Sequence, residues 1–114
     1  MNSSQIYFHN FELIDHKKKS ILFIPGAGMD HRFTRALNFS KAEYNPPLVI
    51  DLPGHGDSKG SSCNNIKSYS KFLIEALKSY DLNNIALCGH SMGGLIAIDT
   101  VSYTHLRAHE TSID

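Results

Sequence analysis

The 114-residue chain has no tryptophan, two cysteines and no formal net charge, its 11 basic side chains balancing 11 acidic ones. The balance removes the electrostatic case for nucleic acid or an anionic membrane as partner, since both call for a basic field. The one basic run, Lys17-Lys18-Lys19, lies between two apolar segments and reads as a solvated turn. No stretch approaches the ~20 apolar residues that span a bilayer. Met1 to Asp15 lacks the basic start and apolar core of a secretory signal. Cys63 and Cys88 fit no metal spacing, and Cys88 falls in an apolar run where a thiol packs as a small hydrophobe. A reducing, cytoplasmic setting is therefore the default expectation.

Several chemical signatures are missing as well. Gly26-x-Gly28 lacks the third glycine of a dinucleotide fingerprint, because position 31 is His31. There is no phosphate-binding G-x-x-x-x-G-K-[ST] loop and no HExxH or Cys/His cluster, so no cofactor and no metal is expected.

What is present is 41% hydrophobic residues, enough for one small domain and too little for two. Ile6 to Phe8 and Phe11 to Ile14 flank His9-Asn10 and predict an antiparallel hairpin. Ser20 to Ile24, Leu48 to Ile50 and Ile85 to Cys88 are continuous apolar runs, the pattern of strands buried on both faces. Asp30 can cap a helix carrying Phe33, Ala36 and Leu37, which Pro46-Pro47 closes. Ile66, Tyr69, Phe72, Leu73, Ala76, Leu77 and Tyr80 recur every three or four residues and predict a helix with one apolar stripe. Leu95 to Ile98 begins another. Alternating strands and helices define an α/β fold with a parallel sheet, and sites in such sheets form where the strands end.

Chemistry concentrates at Gly89-His90-Ser91-Met92-Gly93. A serine hydroxyl needs a base, an orienting acid and oxyanion donors before it is a useful nucleophile. A G-x-S-x-G turn between a buried strand and a helix exposes such a serine, with glycines where strand and helix come too close for side chains. Ser91 is thus the expected nucleophile, and the N–H of Met92 an expected oxyanion donor. His90 is set aside as base because neighbouring side chains on a tight turn point apart. A lone elbow serves equally for a turn serine, but here both flanking elements are present.

Three segments in this order resemble the α/β-hydrolase superfamily: Phe23 to Asp30, Asp51-Leu52-Pro53-Gly54-His55-Gly56-Asp57-Ser58, and Gly89 to Gly94. The resemblance covers residues 5–100 and implies an α/β-hydrolase fold, N-terminal half only: an antiparallel hairpin, then parallel strands with flanking helices. By position, Ala27 takes the place of the second oxyanion N–H, although Pro25 stands where the family usually has His. The resemblance also gives His55, Asp51 and Asp57 structural places in the turn after a strand, and His31 reads as a partly exposed helix histidine. It implies a serine hydrolase acting on an ester, thioester or related acyl bond of a small molecule. The serine argues against the dehalogenase and epoxide-hydrolase branches, which use aspartate at the elbow. Alternatives on the same fold are a non-catalytic binding protein, or a lyase, C–C hydrolase or perhydrolase.

In that family the triad acid and base follow far downstream of the serine. Only 23 residues follow Ser91 here, and they include Asp99, His105 and His109. Asp99 is carried away from the serine along the helix. Residues 101–111, VSYTHLRAHET, resemble one reading frame of a transposase-type sequencing-library adapter. Residues 1–100 are therefore expected to be the N-terminal part of the domain and 101–114 a non-native tail that packs weakly and leaves the Ile85–Cys88 strand as an open edge. The substrate, the oligomeric state and the triad partners are not legible.

Overall fold

The structure is a computed structural model that describes residues 6–32, 43–58, 62–63, 65–82, 85–104 and 107–111, the last five by their backbone. A five-stranded sheet runs through it in the order β1-β3-β2-β4-β5. The strands are β1 (Tyr7–His9), β2 (Ser20–Ile24), β3 (Leu48–Asp51), β4 (Ile85–His90) and β5 (Arg107–Thr111), with helices α1 (Ile66–Ser79) and α2 (Met92–Val101). β3, β2, β4 and β5 are parallel, and β1 is antiparallel to β3. The architecture is a mixed, mainly parallel sheet with helices against it, the arrangement that the resemblance to α/β-hydrolases implies.

Register explains the core. Leu22 pairs with both Leu48 and Leu87, and Phe8 with Ile50, so these residues share one face of the sheet. They join Ile24, Leu73, Ala76, Leu77, Ile96 and Ala97 in one buried cluster, which places the two helices over that face. The other face carries Tyr7, His9, Val49, Asp51, Phe23 and Cys88 by the same pairings.

α1 forms where the three-four periodicity requires. The side chain of Asn65 caps it by accepting the N–H of Ser68 at 2.8 Å. Tyr69, Phe72, Leu73, Ala76 and Leu77 are its buried stripe. The chain leaves the helix through Asp81 at φ 54°, and the N–H of Leu82 returns to the carbonyl of Leu77.

Two expectations need correction. No hairpin forms between residues 6–8 and 11–14. Asn10 adopts φ 69°, the chain turns into a 3-10 helix over Phe11–Leu13, and β1 crosses to pair with β3. Phe11 then packs edge-on against Tyr80, 4.7 Å between ring centroids. The second concerns the tail. Instead of lying loose, residues 107–111 form β5, parallel to β4 from Ala86↔Arg107 to His90↔Thr111. β4 is therefore paired on both sides. The expected helix with Phe33, Ala36 and Leu37 lies outside the described residues.

Candidate active site

β2 and β4 are adjacent and parallel, with Ile24 level with Gly89. The segments that leave them therefore emerge side by side at the carboxyl edge of the sheet. On one side β4 passes into α2 through a single residue, Ser91, at φ 57° and ψ −119°. A non-glycine residue with positive φ is strained, by about 1–3 kcal/mol where the surroundings enforce it. The surroundings here are glycine packing. A Cβ on Gly93 would run into the backbone carbonyl of Ile24, and one on Gly89 into the backbone of Gly93. Strand, turn and helix are pressed together, and the Ser91 side chain is left exposed at the edge. Met92 is the first residue of α2, so its N–H has no acceptor within the helix.

On the other side β2 ends in Pro25-Gly26-Ala27-Gly28. Gly26 faces the elbow: a Cβ there would sit 3.4 Å from Ser91 Cβ and 3.3 Å from the His90 carbonyl oxygen. The N–H of Met29 closes a β-turn onto the Gly26 carbonyl at 3.1 Å, with Gly28 at φ 77°. That positive φ in third place marks a type II turn. Ala27, exposed at its second position, follows directly on the residue that touches the elbow.

A second cluster lies one strand over, where β3 ends. Asp51 is fully buried. Its carboxylate accepts the backbone N–H of His31 at 2.6 Å, Nδ1–H of the same histidine at 2.8 Å, and the N–H of Asp57 at 2.8 Å. Ser58 Oγ donates to the Asp51 carbonyl and accepts the N–H of Tyr7 at 2.9 Å. His31 in turn lies against Tyr7 and is stacked on His9, 5.0 Å between centroids. Burial first, then the charges of Asp57 and Asp51, push the Tyr7 phenol above its ordinary value of 10.0. His55 joins the two clusters. Its Nε2 accepts the N–H of Gly28 at 3.0 Å, and its Nδ1 lies 3.0 Å from the carbonyl of Pro53.

Sequence reasoning placed Ser91, Ala27 and Met92 at one edge, and the fold brings their segments together there. It missed the His31–Asp51 pair: His31 is half-buried in a helical turn, as expected, but its imidazole is held against the Asp51 carboxylate with its side chain 14% exposed. By composition this is the imidazole–carboxylate half of a triad. Its position argues otherwise, because β2 separates β3 from β4 and two strand spacings are about 10 Å. Among the described residues no side chain hydrogen-bonds the Ser91 hydroxyl. His31, Asp51 and Asp57 could together present metal-ligand atoms within 4.8 Å of one another, but the Asp51 oxygens are already engaged by the contacts above. Among the described residues, no helix is long and apolar enough to cross a membrane.

A family model described as "Alpha/beta hydrolase family" matches residues 21–113, and the chain belongs to that family. A Mycoplasma genitalium protein provisionally named esterase/lipase 2 is 28% identical over 101 residues, covering 85% of this chain and 38% of that one. The 2-succinyl-6-hydroxy-2,4-cyclohexadiene-1-carboxylate synthase of an Enterobacter species is 35% identical over 78 residues, covering 68% of this chain and 30% of the synthase. Among solved structures, a predicted CIB-like hydrolase from Thermoplasma acidophilum superposes with a TM-score of 0.68 at 27% identity, over 81% of this chain and 48% of that one. A lipase-esterase related protein from Clostridium acetobutylicum shares the fold with a TM-score of 0.78 at 23% identity, over 93% of this chain and 46% of its own. The chain thus spans less than half the length of each of these relatives.

Proposed function

We propose that the full-length protein is a serine hydrolase of small acyl substrates, with Ser91 as the nucleophile that forms the acyl-enzyme. The observation that carries this reading is the strained backbone of Ser91, φ 57° and ψ −119°, held by glycine packing at a strand–helix junction beside the Gly26 turn. Strain is maintained at that position to present a hydroxyl at the sheet edge. The backbone N–H groups of Met92 and Ala27 form the oxyanion hole, and the acid and base come from sequence beyond residue 100. Residues 101–114 are a non-native tail on this reading. Two buried polar atoms without a hydrogen-bond partner among the described residues, Asp99 Oδ2 and Thr100 Oγ1, lie at the proposed junction, where a native continuation would supply partners.

Fluorophosphonate labelling of the full-length protein tests the nucleophile. Label is expected on the parent and absent from Ser91→Ala, whose turnover falls by several orders of magnitude with folding retained. Undiminished labelling of the alanine variant overturns the assignment. Ala27→Pro tests the hole. Proline is favoured at the second place of a type II turn, so this change deletes the N–H and spares the turn. Loss of one such donor costs about 3–4 kcal/mol of transition-state stabilisation.

A second reading keeps the elbow and changes the reaction. The synthase relatives are 35–40% identical over 58–78 residues, a closer match over a shorter span than the esterase/lipase. It predicts lyase or synthase turnover that depends on Ser91 and no p-nitrophenyl ester hydrolysis above the alanine variant.

A further inference from the structure

We propose that His55 is the positioning residue of the oxyanion turn, fixing the orientation of its central peptide through an unprotonated Nε2. The proposal rests on the reading of Ser91 and Ala27 given above, and deepens it.

Among the described residues, two groups bear on the turn Gly26–Met29 from outside, one at its first residue and one at its central peptide. Gly26 is backed by the elbow itself, at the His90 carbonyl and Ser91 Cβ. The Ala27–Gly28 peptide is held by His55, whose Nε2 lies 3.0 Å from the Gly28 nitrogen. The central peptide of a β-turn is its least determined unit, because rotating it interconverts turn types with little movement of the ends. Its orientation sets ψ of Ala27 and φ of Gly28, so holding it keeps Ala27, whose own N–H belongs to the preceding peptide, in its place in the type II turn.

The proton assignment follows from donor and acceptor roles. The Gly28 N–H can only donate, so Nε2 must offer a lone pair. Nδ1 then carries the proton, and it has an acceptor in the Pro53 carbonyl at 3.0 Å. Both ring nitrogens are served by one tautomer. Pro53 belongs to the segment that the Asp51 network secures, through Asp57 N–H on the carboxylate and Ser58 Oγ on the Asp51 carbonyl. His55 also lies edge-on to Tyr69 of α1, 6.5 Å between centroids. The imidazole is thus a strut from a fixed loop to the peptide beside Ala27. Sequence gives no sign of it, since the two residues are 27 positions apart.

The test uses the full-length protein with two variants. His55→Phe keeps a flat ring against Tyr69 and removes the acceptor. His55→Gln can place its amide oxygen where Nε2 was, and restores it. We expect the phenylalanine variant to lose about tenfold in kcat with KM within about twofold and an unchanged melting temperature, as one neutral hydrogen bond in an exposed setting allows. Affinity for an aryl boronic acid, which mimics the tetrahedral intermediate, falls by the same factor. The glutamine variant stays within about twofold of the parent. Equal kcat in parent and phenylalanine variant overturns the proposal, as does a glutamine variant that falls as far as phenylalanine. If fluorophosphonate fails to label the parent, the nucleophile reading has failed, and a second measurement still decides the strut. Long-range 15N–1H correlation must show Nε2 of His55 unprotonated and Nδ1 protonated, and Gly28 amide exchange must be slower in the parent than in the phenylalanine variant. The opposite tautomer, or equal exchange, overturns it.

Discussion

The ends of β3 and β4 lie at the same edge of one sheet and are built on opposite plans. At the end of β3 a buried carboxylate, Asp51, is satisfied from several sides, by two contacts from His31 and one from the Asp57 backbone. At the end of β4 an exposed serine sits on strained backbone, with no side chain among the described residues hydrogen-bonded to its hydroxyl. A satisfied polar network spends its interaction energy on holding loops in place. A strained, unserved hydroxyl contributes nothing to stability and is retained for what it presents. On the function proposed above, the difference separates a scaffold end from a chemical one, although the scaffold end has the more triad-like composition.

Removing the hub should break the first end hardest. Asp51→Ala leaves the N–H groups of His31 and Asp57 and the His31 imidazole without their buried acceptor. Three hydrogen bonds to one buried carboxylate are lost together, and each donor left without an acceptor costs about 1–3 kcal/mol, so a loss of about 3 kcal/mol or more is expected. Urea unfolding of the full-length protein should show that loss. The loops of residues 25–32 and 51–58 should also become more susceptible to proteolysis, since Asp51 is what joins them. A loss under about 1 kcal/mol would mean that the β3 end is no more scaffold than the β4 end.

The opposite substitution sharpens the contrast. Ser91→Gly relieves a positive φ that serine tolerates poorly, and a gain of about 1 kcal/mol in unfolding free energy is expected together with complete loss of acylation. A change that stabilises the fold while abolishing function is the signature of strain kept for use. If the glycine variant is less stable than the parent, the Ser91 backbone is not under the stress that its dihedrals imply.

How far these two ends could be read from the sequence differs for the same physical reason. The elbow is local. Gly89, Ser91 and Gly93 meet within five residues, so spacing alone shows why each glycine must be small. The strand Ser20–Ile24, read from a continuous apolar run, and the stripe of α1, read from its periodicity, are local too, and both appear where expected, although β2 alternates buried and half-buried residues instead of being buried on both faces. The β3 end is assembled through space, with Asp51 and His31 20 positions apart, and no pattern along the chain marks the pairing. The expected hairpin does not form because segments adjacent in sequence are not adjacent in the sheet: with Asn10 in the left-handed region the chain turns into a 3-10 helix, and β1 pairs with β3. The β5 strand was hidden behind an expectation about the origin of residues 101–111. Backbone pairing beside β4 asks for an extended segment, which their resemblance to an adapter does not address.

The smallest effect lies within β4 itself, three residues before the serine. Cys88 sits beside Phe23 on the face away from the main core, and burial raises its thiol above the ordinary value of 9.0. The folded state therefore holds the thiol proton more tightly than the unfolded chain does. Its stabilising contribution is complete below the unfolded value and is lost as pH rises through the folded one. Stability should fall above about pH 9 more steeply in the parent than in Cys88→Ala, whose other titrating groups, Cys63 included, are unchanged. Urea midpoints at neutral and alkaline pH in the two proteins give that difference directly. Iodoacetamide should also alkylate Cys88 more slowly at pH 8 than a small free thiol, because less thiolate is present. Parallel pH slopes in the two proteins, or alkylation at the free-thiol rate, would show that β4 does not withdraw its cysteine, and the contrast with the exposed Ser91 would then hold only beyond the strand's last residue.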